Sequence, residues 1–325
     1  MAVRVGVVGC GYWGRNLVRV FHELGVLCAV CDVDVALATE FSSEYSVPSL
    51  EWVEILEDSS IDAVAIATPA EVHSTQALQS LQAGKHVFVE KPLALHSYEA
   101  EEIIALANQG ERVLMVGHLL QYHPAFLALR DLTEAGKLGR LQYIYSNRLN
   151  FGKVRREENV FWSFAPHDIS MILSLTGEMP NSISAKGASY LHKVIADVTN
   201  TYLTFPSGVN AHIFVSWLHP FKEQKLIVVG SDGMAVFDDM KDWREKLQLY
   251  PHRIGWREGL PEPEKGVAEA VSIQQGEPLK IEAQHFVDCV SDGSTPRTNG
   301  TEALRVLKIL EETESILAEQ RLGGG

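Results

Sequence analysis

The sequence predicts a two-part α/β protein. A doubly wound parallel sheet comes first, followed by an α+β domain built on a large, mostly antiparallel, open-faced sheet. Three observations predict this. A glycine-rich turn joins an apolar strand to an amphipathic helix at the very start of the chain. Strand and helix patterns then alternate as far as residue 120. Beyond that point the strands are joined by turn signals instead of helices. A chain of 325 residues is longer than one typical core serves, so the division falls naturally at residues 1–120 and 121–325.

Val3–Val8 is the first strand, an unbroken apolar run apart from Arg4 and Gly6. Gly9-Cys10-Gly11-Tyr12-Trp13-Gly14 follows directly and spells G-x-G-x-x-G. A helix then carries Leu17, Val20, Phe21 and Leu24 at i, i+3, i+4 and i+7, and stops at Gly25. Val26–Val33 is the second strand, with Asp32 near its end, about twenty residues beyond the last glycine.

That spacing is the dinucleotide fingerprint of a Rossmann domain. The first glycine makes the turn, the second admits a pyrophosphate to the backbone, and the third lets the helix pack on the strand. The helix amino terminus offers free N–H groups and a positive dipole end. Asp32 suits the two hydroxyls of an adenosine ribose and repels a 2′-phosphate, which selects NAD over NADP.

Ile61–Thr68 is an inner strand ending in Thr68-Pro69, and Ser74–Ala83 is a helix. His86–Glu90 is the next strand and must end where Glu90-Lys91-Pro92 begins, because proline cannot continue a ladder. Ser97–Asn108 reads as a helix and Arg112–Gly117 as a strand ending at Gly117-His118. Ligands bind at the carboxyl ends of such strands. Gly9–Gly14, Thr68, Pro69, Glu90, Lys91 and His118 are therefore placed around one crevice, and His73 is expected to line the same cleft.

In the second part, a helix follows His123-Pro124 and a strand covers Leu141–Leu149. Phe161-Trp162-Ser163-Phe164-Ala165-Pro166-His167-Asp168 leads into a further helix. Strands are expected near Ser182–Tyr190, Val198–Phe205, Val209–Trp217, Lys225–Val229, Met234–Asp238 and Lys246–Tyr250. Residues 257–279 read as a long loop, and Ile281–Leu317 as two helices divided at Ser291-Asp292-Gly293.

Composition narrows the function. The formal net charge is -14, which argues against nucleic acid or anionic membrane as a partner. No apolar run reaches transmembrane length, and the first residues read as a strand and not as a leader peptide. Cys28 and Cys31 form a C-x-x-C inside an apolar strand, where buried thiols are the better reading than a redox pair. A cytoplasmic protein without disulfides is expected. The histidines show no metal-ligand spacing, so no metal is expected. Lys153, Arg155 and Arg156 form a basic group suited to a diphosphate.

Together these motifs resemble the Gfo/Idh/MocA family of sugar and polyol dehydrogenases over nearly the whole chain. The resemblance rests on Gly9–Gly14, Thr68-Pro69, Glu90-Lys91-Pro92, the strand-rich second domain, and Gln284-His285-Phe286 followed by Thr298-Asn299-Gly300. Gly117–Pro124, Arg148–Gly152 and Ala165–Asp168 are similar to the branch that handles nucleotide-linked sugars.

The resemblance implies a cis Lys91-Pro92 bond and NAD-dependent oxidation of a sugar hydroxyl. UDP-N-acetylglucosamine oxidised at C3, for the 3-amino sugars of lipid A or surface polysaccharide, is the implied substrate. Catalysis falls to Lys91 and His167, as donor and base. Cofactor contacts fall to Gly9, Gly11, Tyr12, Trp13, Gly14, Asp32, Thr68, Pro69, His73, Glu90, Lys91 and His118. Substrate contacts fall to Lys91, Tyr122, Arg155, Arg156, Trp162 and His167. Other readings of the same fold are a 3-ketosugar reductase, an inositol or free-sugar dehydrogenase, and a non-catalytic NAD(H) sensor. A homodimer or homotetramer is expected through the open sheet face. Ser163 stands where the family often has an acid, which leaves open what orients His167.

Overall fold

A computed structural model describes residues 3–151, 154–156, 158–191 and 194–323. The chain divides into two compact units. One comprises residues 1–122 with 277–308, the other 123–276 with 309–325.

The first unit opens with β1 (Val5–Val8), α1 (Gly14–Glu23), β2 (Leu27–Cys31), α2 (Val35–Tyr45) and α3 (Trp52–Glu57). It continues with β3 (Ala63–Ile66), α4 (His73–Gln82), β4 (His86–Val89), α5 (Ser97–Gln109) and β5 (Leu114–Val116). The five strands are all parallel, in the order β2-β1-β3-β4-β5. β1, β3 and β5 are buried along their whole length and β4 at all but His86, as expected of strands covered on both faces. β1 and β3 are neighbours whose crossovers leave in opposite directions, which opens a crevice at their carboxyl ends.

The second unit contains α6 (Pro124–Glu134), β6 (Leu141–Phe151), α7 (Val160–Thr176), β7 (Ser182–Ala188), β8 (Val198–Thr204) and β9 (Asn210–Ser216). Then come β10 (Leu218–Gly230), β11 (Gly233–Asp238), β12 (Leu247–Arg257), β13 (Leu260–Lys265) and β14 (Glu269–Ala270). One sheet runs β13-β12-β11-β10-β6-β9-β8-β7, with β14 beside β12. Its pairs are antiparallel except β6 with β9.

Two sequence expectations change. Residues 257–279 are not simply a loop, because β13 and β14 lie within them. Pro261 and Pro263 hid β13, but an edge strand tolerates residues that cannot donate on its free side. The boundary at residue 120 is also incomplete, because 277–308 returns to the first unit. The returning elements are α8 (Pro278–Asp292) and the start of α9 (Gly300–Gly323). Leu279, Ala283, Phe286 and Cys289 of α8 join the core of the parallel sheet. Phe286 meets Phe88 edge-on at 5.7 Å and Phe21 at 6.4 Å. Each such ring removes roughly 2–3 kcal/mol worth of apolar surface from water, which is why the return is fixed.

All four cysteines are free and buried. Burial pushes the thiols of Cys28 and Cys31 up to about 11, so neither is a ready thiolate at neutral pH. Among the described residues no helix is long and apolar enough to cross a membrane.

Candidate active site

The candidate residues fall in two sets, one within each unit. In the first unit the glycine-rich turn has the shape its sequence requires. Gly9 has φ of 89°, and a side chain there would meet the backbone of Ala67 and Thr68 at 2.8 Å. A side chain on Gly14 would lie 1.8 Å from the Gly9 carbonyl oxygen. At Gly11 a side chain would meet nothing within 4 Å, so this is where a ligand can approach bare backbone. Asp32 Oδ2 accepts from the Cys10 amide at 2.6 Å and Oδ1 from the Asp34 amide at 2.9 Å. The carboxylate is thereby held beside the turn with lone pairs to spare. Tyr12 is almost fully exposed and Trp13 partly so. These residues fit an NAD: turn, open glycine, helix amino terminus and ribose acid are all in place.

The Trp13 indole N–H donates to the Glu90 carboxylate. A side chain at Gly117 would lie 2.9 Å from Glu90 Oε2, so the absence of one makes room for the acid. Burial pushes Glu90 up to about 7, against hydrogen bonding by Trp13 and the charge of Lys91. Lys91 is partly exposed, and the Lys91-Pro92 bond is cis.

The structure gives His73, His118 and Tyr122 inward roles. His73 is 1% exposed, with Nδ1 2.7 Å from the Pro92 carbonyl oxygen and Nε2 2.8 Å from that of Thr68. It ties the turn after β3 to the loop after β4 instead of presenting its ring. His118 is also buried, with Nδ1 2.6 Å from Glu302 Oε2 on α9. The Tyr122 hydroxyl lies 3.0 Å from Thr298 Oγ1, beneath a ring covered by Arg297. Sequence reasoning placed Tyr122 on the substrate side, but its ring belongs to the apolar core of the first unit.

The second set lies on and before α7. Asn159 caps the helix through Phe161 and Trp162. Trp162 and His167 are partly exposed, and Pro166 lies inside the helix just before His167. Arg155 and Arg156 are exposed, with Arg155 Nε 3.1 Å from Glu158 Oε1. Lys153 lies outside the described residues. Arg148 of β6 grips Asp168 of α7, Nε to Oδ2 at 2.6 Å and Nη2 to Oδ1 at 3.0 Å.

Sequence reasoning quoted Arg148 and Asp168 within motifs without giving either a role, and it missed Glu302. Glu302 announces itself only as the third residue of a helix capped by Asn299, which is a structural signal. Among the described residues no group of three or more His, Cys, Asp or Glu could hold a metal ion.

A parallel sheet with this turn and acid defines a nicotinamide-dinucleotide oxidoreductase. More narrowly, the chain belongs to the Gfo/Idh/MocA family. Residues 3–118 match its NAD-binding Rossmann domain and residues 126–236 its carboxy-terminal domain. The chain is 29% identical over 307 residues to the UDP-N-acetylglucosamine 3-dehydrogenase of Acidithiobacillus ferrooxidans, covering 94% of each. A solved structure of that enzyme superposes with a TM-score of 0.87 at 27% identity, covering 98% of both chains. The scyllo-inositol 2-dehydrogenase (NAD(+)) of Bacillus subtilis is 24% identical, over 94% of this chain and 92% of its own. The protein is thus an NAD-dependent oxidoreductase of this family.

Proposed function

We propose that the chain oxidises the C3 hydroxyl of a nucleotide sugar, UDP-N-acetylglucosamine, to the 3-keto sugar that a 3-amino-sugar pathway to lipid A or surface polysaccharide would consume. The observation that carries the nucleotide-sugar reading is the exposed pair Arg155 and Arg156, just before the helix of His167, in a chain of net charge -14. Cations on an otherwise acidic protein suit a diphosphate. The similarity to a UDP-N-acetylglucosamine 3-dehydrogenase supports the same reading.

NAD, when bound, supplies the hydride acceptor. Gly9, Gly11, Gly14 and the amino terminus of α1 would hold its pyrophosphate, and Asp32 its adenosine ribose. Trp13, Thr68, Pro69 and Glu90 would complete that crevice. His167 takes the hydroxyl proton, the general-base role that imidazole side chains commonly serve. Lys91 donates to the reacting oxygen and stabilises the charge that grows on it. Trp162 would cover the sugar. The aromatic open sheet face, where Tyr143, Tyr202 and Phe221 are exposed, supports assembly into a cytoplasmic homodimer or homotetramer, which light scattering would show.

The test is NADH formation with UDP-N-acetylglucosamine. Lys91→Ala and His167→Ala should each lower kcat by about 1,000-fold or more while NAD still binds. Arg155→Ala with Arg156→Ala should raise KM for the nucleotide sugar about tenfold and leave that for NAD unchanged. Turnover of scyllo-inositol, indifferent to both arginines, would instead favour the inositol or free-sugar reading, for which the Bacillus relative speaks.

A further inference from the structure

His167 follows a proline inside its own helix. Pro166 has no N–H to give the Trp162 carbonyl, and its ring pushes against that carbonyl. Helical hydrogen bonding alone therefore sets the direction of His167 loosely. The next residue is held from outside. Asp168 is 1% exposed and accepts three hydrogen bonds from β6, two from Arg148 and one from Ser146 Oγ at 2.5 Å.

Ser146 and Arg148 share one face of a strand that lies inside the sheet, between β10 and β9. Arg148 is itself braced. Its register partner on β10 is Gln224, whose amide, oriented to satisfy both neighbours, accepts from Arg148 Nη1 at 3.1 Å and donates to Asp239 Oδ2 at 3.2 Å. Asp239 is anchored in turn by Lys246 Nζ at 2.7 Å and His123 Nε2 at 3.3 Å. Although burial opposes it, these two hydrogen bonds hold Asp239 down at about 2.

We propose that Arg148 is a positioning residue for His167, setting its direction by gripping Asp168 against the sheet. The inference rests on the reading of His167 as the base. A bidentate fork fixes angle as well as distance. Neighbouring helical side chains are separated by about 100° around the axis, so a clamp on Asp168 sets where His167 points. Arg148 also offsets the charge of Asp168, which keeps an unbalanced anion from sitting beside the imidazole. A buried ion pair adds little net stability over an apolar pair of similar volume, so stability alone is a weak reason to keep one here.

The experiment uses the full chain saturated with NAD, with UDP-N-acetylglucosamine as the probe. Arg148→Lys keeps the charge and loses the fork. The double variant Arg148→Met, Asp168→Leu replaces the pair by apolar groups and should melt within a few degrees of the parent. Both should lose about 100-fold in kcat, the scale of a small misplacement, with KM for each ligand within about twofold. In both, the histidine ring NMR signal that disappears in His167→Asn should be displaced from its parent position. Parent-like kcat in either variant, or an unmoved His167 signal, overturns the proposal. If His167→Asn keeps full turnover, the base assignment is what fails, and the ring signal alone then decides whether Arg148 positions His167.

Discussion

The indole N–H of Trp13 donates to the carboxylate of Glu90, joining the glycine-rich turn after β1 to the loop after β4. β3 lies between those two strands, so the link passes the carboxyl end of β3, beside the crevice that opens between β1 and β3. Trp13→Phe keeps the aromatic ring and removes the donor. It should weaken NAD binding about fivefold, as one hydrogen bond of about 1 kcal/mol would, and leave Tm nearly unchanged. Titration calorimetry measures this directly, and an unchanged affinity would mean the link does not shape the cofactor site.

Glu90 makes stability depend on pH in an unusual direction. Its ordinary value is 4.5, and burial pushes it up to about 7. Between those values the folded chain keeps a proton that the unfolded chain has released. Stability therefore falls as pH rises through that window, and the full cost is present above it. Glu90→Gln removes this dependence. Urea melts at pH 5 and pH 8 should show the variant gaining on the parent by on the order of 1–3 kcal/mol, discounted for the partial exposure of the site. An equal gap at both pH values would contradict the shift.

Glu282 is fully buried on α8, and neither carboxyl oxygen has a hydrogen-bond partner among the described residues. Burial, with the charge of Glu90 nearby, pushes its carboxyl well above the usual range. Burial therefore favours the neutral acid, and its hydrogen bonds are unmade among the described residues. Glu282→Met replaces it by an apolar chain of similar length and should stabilise by about 1–3 kcal/mol, a rise of several degrees in Tm. A variant that melts lower would show that the acid has a partner that matters.

Asp32 sits at the end of β2 with both oxygens already oriented by the Cys10 and Asp34 amides. Asp32→Asn keeps the shape, removes the charge, and puts a donor where an acceptor is needed. NAD affinity should fall about tenfold and the preference over NADP should narrow, because the repulsion of a 2′-phosphate is gone. Equal discrimination in parent and variant, read from paired binding isotherms, would place cofactor choice elsewhere.

Residues whose work is done by local backbone were legible in the sequence. Gly9 and Gly14 must be glycine because of turn geometry and close approach within a few residues, so the motif and its role coincide. Asp32 is placed by strand length, and Pro92 must end a strand wherever it stands. The alternation of apolar runs and helical periods likewise reaches the parallel order of the first unit through short-range rules. Pro261 and Pro263 show the limit of such rules, since they read as loop until the sheet supplies an edge where missing donors cost nothing.

What the sequence by itself determined is therefore the glycine-rich turn, the acid that follows the second strand, and the fold class around them. Only the tertiary structure decided that α8 returns to cover the parallel sheet and that Trp13 reaches Glu90. It also decided that His73, His118 and Tyr122 are turned inward and that Arg148 grips Asp168. Arg148 and Asp168 are 20 residues apart, and Tyr122 and Thr298 are 176 apart. Neither separation has a period that a strand or helix would print in the sequence. Contacts of that kind are chosen by which faces must leave water together, and that choice belongs to the whole chain.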